Sequence, residues 1–345
     1  MAKPVRSLSA LVLTVAVSVA WIGLGQLEGT VLAQNEATPA VRSLGHVVVP
    51  LGVVPCNGED CYDIEVHCPD VREPATARLK VGDPTAVPLR GTILFMTGGG
   101  GTSLWEGRGG GDARRVLTEL RGSGFRTVQI AWTRGWLVGT AEGMEGQASL
   151  GCRPATVARW VYDTLHHLGP DTALCATGNS GGAGQVSYML SHYGLAEILS
   201  AAVPTGGPPF GRIDLGCLRY DPANSALWYH EDSAGLIDRG FGVLDEGSGA
   251  CVRSDARFRS RFEEASIVSA QGSYIYPKTM VWFLWGENDR TNAVPQGWLY
   301  RDRLIEAGSP LVRADVVPDT GHGVPGSQKG ADMIRDIMLN ECRPR

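Results

Sequence analysis

Between residues 90 and 340, short apolar runs alternate with segments of helical period. That alternation restricts the fold more than any other feature of the chain. Runs of strand length lie at 92–96, 126–132, 172–176, 198–203, 279–285 and 311–317. Helical patterns occupy 114–120, 155–168, 182–193, 296–307 and 330–339, the second with apolar residues at 157, 161, 165 and 168. Strands buried on both faces read as continuous apolar runs, and strands separated by helices pair in parallel. The sequence therefore predicts an α/β fold, a mostly parallel sheet flanked by helices. The interval 207–277 breaks the rhythm with Gly, Pro, Asp, Ser, several aromatics and two cysteines. It reads as a cap inserted between two strands. Residues 34–90, rich in Pro, Gly and charge, read as short strands and turns of poor periodicity.

The chain opens with Lys3 and Arg6, an apolar stretch over 8–25, and Val31-Leu32-Ala33 ahead of Gln34. A charged, then apolar, then small-residue order is that of a cleavable secretory signal. Residues 1–33 are expected to be a signal peptide and 34–345 the folded domain, secreted or periplasmic. An uncleaved anchor competes, because the stretch is near the length of a spanning helix. Gln34 in place of Cys argues against a lipid anchor, and no later run is long enough to span, so no membrane span is expected after cleavage. Losing 1–33 removes Lys3, Arg6 and Glu28 and takes the formal charge from −5 to −6. With no basic run, phosphate neutralisation and nucleic-acid binding are not expected.

The eight cysteines all follow the signal, and export with an even count predicts disulfides. Cys217 and Cys251 are expected to close a loop within the insertion. Cys175, in a predicted buried strand, reads as a plain core residue. Cys56, Cys61 and Cys68 with His67 could be read as metal ligands. Their spacing lacks a CxxC pair, and bridges are preferred; no metal and no cofactor are expected.

The chemistry begins at Gly178-Asn-Ser180-Gly-Gly182, a G-x-S-x-G turn between an apolar strand and a helix. A serine on such a turn sits in a strained conformation with its hydroxyl exposed. The glycines let strand and helix approach without Cβ clashes. The Gly181 amide then lies at a helix N-terminus, where unpaired N–H groups favour negative charge. In a chain with 46 glycines the pentapeptide alone would mean little; its strand–turn–helix setting is what gives it weight. The same residues resemble the GDSGG segment of chymotrypsin-like proteases. That reading needs an all-β chain and an upstream His in an Ala-Ala-His-Cys setting, and neither is present.

On the strength of this turn, residues 90–340 resemble the α/β-hydrolase superfamily, in which Ser, acid and His follow in that order at the ends of strands. The resemblance implies Asp289, in Gly286-Glu-Asn-Asp289 after the 279–285 strand, as the acid, with Glu287 and Asp214 as competitors. It implies His322, flanked by glycines after the 311–317 strand, as the base. The remaining histidines lack that setting: His166 and His167 are adjacent on one helix, His192 lies in the helix after the serine, and His230 lies in the cap. Met96-Thr97-Gly-Gly-Gly-Gly101 resembles the family's HGGG segment, with Thr97 where His is usual, and makes Gly99 the second oxyanion donor beside Gly181, with Gly100 next. The run lacks the endings of a nucleotide-binding loop. Trp105 is a candidate wall of the substrate pocket or a core residue, and Trp228 and Tyr229 share that ambiguity.

The resemblance implies a serine hydrolase cleaving carboxylic esters, small or polymeric, through an acyl-enzyme on Ser180. An exported peptidase of the same fold and a non-catalytic binding protein on the same scaffold are the alternatives.

Overall fold

A computed structural model describes residues 41–345, apart from 57, 86, 87, 168, 170, 221, 224 and 246. The expected signal segment lies outside the described residues. The chain begins with four strands, β1 (His46–Val48), β2 (Val53–Cys56), β3 (Glu59–His67) and β4 (Ala75–Gly82). β5 (Gly91–Met96) leads to α1 (Trp105–Arg108) and α2 (Gly110–Gly122). β6 (Phe125–Trp132) precedes α3 (Gly146–Leu150) and α4 (Cys152–Thr164). β7 (Ala173–Asn179) runs into α5 (Gly181–Ser191), and β8 (Leu199–Thr205) follows. Next come α6 (Ile213–Leu218), α7 (Ser225–Trp228), α8 (Glu231–Gly240) and α9 (Arg259–Ala265). The order closes with β9 (Met280–Gly286), α10 (Ala293–Glu306), β10 (Val312–Val317) and α11 (Gln328–Glu341).

The strands form one ten-stranded sheet in the order β1-β3-β4-β6-β5-β7-β8-β9-β10, with β2 on β3. From β6 to β10 every pairing is parallel, and from β1 to β6 every pairing is antiparallel. Alternation along the central strands supplies two cores. Ile93 and Phe95 of β5, Cys175 of β7 and Val203 of β8 pack on one face with Val116 and Leu120 of α2 and Ile334 and Met338 of α11. Leu94 and Met96, Leu174 and Ala176 point to the other face, against Val157 and Val161 of α4 and Tyr188 and Met189 of α5. This explains why β5 reads as an apolar run: all six of its residues are buried.

Two parts depart from the sequence expectation. Residues 46–82 form an antiparallel extension of the sheet, in which β1 and β2 are the short strands expected, but β3 and β4 run nine and eight residues. In β3 the alternation slips between buried Cys61 and buried Ile64, three positions apart, while Asp63 and Glu65 hold Arg78 and His67. Cys175 is not a plain core residue. It is buried as expected, yet it is bonded to Cys342 at the end of α11. The other bridges are Cys56–Cys61, Cys68–Cys152 and Cys217–Cys251, the last closing a loop between β8 and β9.

Cys175–Cys342 spans 167 residues and ties the strand before the Ser180 turn to the last helix. Closing so long a loop removes much freedom from the unfolded chain. Replacing both cysteines by alanine is expected to lower unfolding free energy by about 4 kcal/mol, read by urea titration. An unchanged midpoint would refute the bridge's stabilising role.

Candidate active site

The turn after β7 is built where three backbones meet. Ser180 has φ 54° and ψ −116°, a left-handed conformation that side chains avoid unless the surroundings enforce it. Two backbone hydrogen bonds hold it: Ser180 N–H donates to Thr205 O at 2.8 Å, and Gly184 N–H donates to Ser180 O at 3.0 Å. The neighbouring glycines are sterically required. A Cβ at 178 would lie 2.4 Å from the Gly182 carbonyl, and one at 182 would lie 2.6 Å from Met96 O. A Cβ at 181 would lie 2.1 Å from Gly99 O, so the amides of Gly99 and Gly181 belong to adjoining backbone. The glycine loop is pinned by its own carbonyls. Those of Gly98, Gly100 and Gly101 accept hydrogen bonds from the amides of Gly101, Trp136 and Trp132.

Two further loops, after β9 and β10, are laced together. Glu287 N–H donates to Val317 O at 3.0 Å and Asn288 N–H to Thr320 O at 2.8 Å. A Cβ at Gly286 would lie 2.2 Å from Gly321 O, so the loops touch through backbone. This brings His322 to Asp289, whose Oδ2 accepts from His322 Nδ1 at 2.8 Å. Asp289 Oδ1 accepts from the Thr291 amide at 2.9 Å and the Thr291 hydroxyl at 2.8 Å. The Asp289 side chain is 0% exposed and that of His322 is 34% exposed. Burial pushes the Asp289 carboxyl up, but the hydrogen bonds from His322 and Thr291 outweigh it and hold the group below its ordinary value.

Ser180, His322, Gly99 and Trp105 line one cavity of about 220 Å³, together with Arg108 and Pro325. Asp289 stands behind the imidazole. Trp105 also belongs to the core: it is buried and packs on Phe95 with ring centroids 4.8 Å apart. A second cavity of about 480 Å³ shares Gly99 and is walled by α8 and the chain from 243 to 252, within the segment between β8 and β9. Trp228 and Tyr229 line neither cavity but sit at a small one beside Cys217–Cys251.

The competitors are engaged elsewhere. Asp214 is buried against Arg212, with both oxygens 2.7 Å from the guanidinium. Glu287 accepts from the Asp319 amide. His166 meets Thr92, His192 lies between Ser191 and Ser269, and His230 caps α8. Cys68 is joined to Cys152 and Cys56 to Cys61, and no group of three candidate metal ligands occurs among the described residues. No helix among them is long and apolar enough to cross a membrane.

Sequence reasoning missed Thr291 and Arg108. Thr291 follows Asp289 by two residues, the spacing at which a carboxylate takes bonds from the backbone and hydroxyl of its own turn. Arg108 is 72 residues from Ser180 by number, and no local pattern marks it.

No family model matches the chain, and no curated protein sequence matches it. Solved structures do resemble it. Brefeldin A esterase, a bacterial homologue of human hormone sensitive lipase, is 18% identical over 81% of this chain and 75% of its own, with a TM-score of 0.52. A hyperthermophilic esterase from the archaeon Pyrobaculum calidifontis is 15% identical over 81% of this chain and 84% of its own, at 0.50. Puromycin hydrolase is 13% identical over 84% of this chain but 40% of its own, at 0.51. At such identities the likeness is one of fold. With the sheet order and the strand–serine–helix turn described above, it makes the architecture an α/β-hydrolase fold.

Because folding lowers the Asp289 value below 3.8, its ionised form stabilises the fold above about pH 3.8. That contribution fades as pH falls through the lower folded value. The stability advantage of the wild type over Asp289→Asn should therefore shrink as pH falls below about 3.8, measured by denaturant unfolding. An advantage independent of pH would contradict an ionised Asp289 held by its hydrogen bonds.

Proposed function

We propose that the chain is a serine hydrolase that cleaves carboxylic esters through an acyl-enzyme on Ser180. One observation carries the reading. A serine held at φ 54° shares a cavity with a histidine whose other face is fixed by a buried carboxylate at 2.8 Å. In this reading His322 takes the proton from Ser180 Oγ as the oxygen attacks the acyl carbon, then gives it to the departing alcohol. A water attacks the acyl-enzyme by the same route in reverse. Asp289 fixes the imidazole tautomer, with Nδ1–H toward the carboxylate, and stabilises the imidazolium. Thr291 holds the carboxylate in place.

The oxyanion of each tetrahedral intermediate would be held by the amides of Gly99 and Gly181. Donors of this kind contribute about 2.7–4 kcal/mol each to transition-state stability. Gly181 begins α5, so its N–H has no partner within the helix and lies at the positive end of the helix dipole. Trp105 forms part of the substrate wall. The segment between β8 and β9 acts as the cap through the cavity it shares with Gly99. The opening residues 1–33 serve as an export signal in this reading, and four disulfides suit an oxidising compartment.

Hydrolysis of p-nitrophenyl esters of increasing acyl length tests the reading, with wild type and Ser180→Ala side by side. Wild type should turn over, and Ser180→Ala should lose activity while keeping its circular dichroism spectrum. Asp289→Asn should lose about ten-thousand-fold in kcat through the wrong tautomer. A folded wild type that hydrolyses no ester would turn the assignment toward a peptidase or a non-catalytic binder.

A further inference from the structure

Arg108 ends α1 and is exposed in the wall of the cavity that holds Ser180 and His322. No carboxylate among the described residues engages its guanidinium. The nearby acids are committed elsewhere. Glu106, two residues earlier, accepts from Lys80 at 2.7 Å and from Gln129 at 3.1 Å. Asp112 pairs with Arg115 at 3.4 Å. Arg114 donates to the Glu106 carbonyl and so adds a second cation on that flank.

The polar residues that share the wall bring no negative charge to answer Arg108. Thr97 donates its hydroxyl proton to Ser103 O at 2.8 Å, and the Asn179 side-chain oxygen accepts from Thr205 at 3.0 Å. Asp289 is hidden behind the imidazole. Arg108 is therefore the one permanent charge among the described residues lining this cavity. Across Gly99 the sign reverses: the larger cavity carries Glu231, Asp232 and Asp245 besides Arg239.

Resting on the ester-hydrolase reading, we infer that Arg108 is a specificity-determining residue that binds a carboxylate on the substrate. A planar carboxylate matches the guanidinium fork with two parallel hydrogen bonds. The cavity, at about 220 Å³, lies below the range of drug-sized pockets, so the acid is short. The substrate class is the half-ester of a short dicarboxylic acid. Its ester carbonyl lies over Ser180 and its free carboxylate on Arg108. The carboxylates across Gly99 disfavour the reversed orientation. Hydrolysis adds water across the ester bond, releasing the alcohol and the diacid.

The test compares monoethyl and diethyl esters of succinate, glutarate and adipate, followed by proton release, with wild type, Arg108→Gln and Arg108→Lys. The ratio of kcat/KM for mono- over diester should fall about tenfold or more in Arg108→Gln, mainly through KM. Arg108→Lys should retain part of the preference, and added salt should weaken it in the wild type. Equal ratios in wild type and Arg108→Gln, with ester turnover intact, would overturn the inference and leave the hydrolase reading standing. Calorimetric titration with the three free diacids decides the case in which no ester is turned over. Binding to the wild type that is lost in Arg108→Gln would support the carboxylate site apart from ester hydrolysis. No binding, or equal binding to both proteins, would overturn it.

Discussion

A methyl group at position 181 would lie 2.1 Å from Gly99 O, one at 178 would lie 2.4 Å from the Gly182 carbonyl, and one at 182 would lie 2.6 Å from Met96 O. Three segments thus meet through bare backbone: the end of β5, the end of β7 and the start of α5. Side chains at these positions would force the glycine loop away from the serine. The left-handed conformation of Ser180 is a consequence of the same crowding. The chain must leave a buried strand and enter a helix within one residue, and both flanking bonds, to Thr205 and from Gly184, hold that residue in place. Strain of this kind persists only where the surroundings over-determine it, and here two cores clamp β7 from opposite faces.

The acid and base are positioned by the same device at a second place. The loops after β9 and β10 touch at Gly286 and Gly321, and backbone hydrogen bonds fix their registry. Burying the Asp289 carboxylate without partners would raise its pKa and favour the neutral acid. Three donors, one from His322 and two from Thr291, reverse that balance. The charge that would stabilise an imidazolium is therefore maintained first by the imidazole and then by Thr291. The packing of the last two parallel strands and the electrostatics of the proposed base are one arrangement, because β10 delivers His322 and β9 delivers the carboxylate that orients it.

What the sequence discloses follows from how locally each feature is determined. β5 and β7 are legible because burial on both faces demands apolar residues at successive positions. The serine turn is legible because close approach demands glycine at fixed offsets. β3 and β4 are less so: they lie in the antiparallel part of the sheet, where exposed residues such as Asp63 and Arg78 pair across strands and interrupt the pattern. The Cys175–Cys342 bridge is illegible for another reason. A cysteine in a buried strand looks the same whether bonded or free, and its partner is 167 residues away. Thr291 left a trace, two residues after an aspartate in a turn. Arg108 left none, since a cation's importance depends on which carboxylates fold beside it.

That dependence shows how a short turn acquires two roles. α1 has only four residues, too few to be stable alone, and its anchors are all on one side. Trp105 is sunk against Phe95, and the Glu106 amide donates to Gln129 Oε1 at 2.9 Å. The Glu106 carboxylate meets Lys80, which Glu59 also holds at 2.7 Å. These anchors join the turn to β4 and β6, in the interior of the sheet. A Cβ at Gly109 would lie 2.5 Å from that of Ala113 and 3.3 Å from Pro325 O, so the chain cannot shift at that point without disturbing the loop that carries His322. Packing thus fixes Arg108 at the cavity rim and leaves its charge unanswered by the protein.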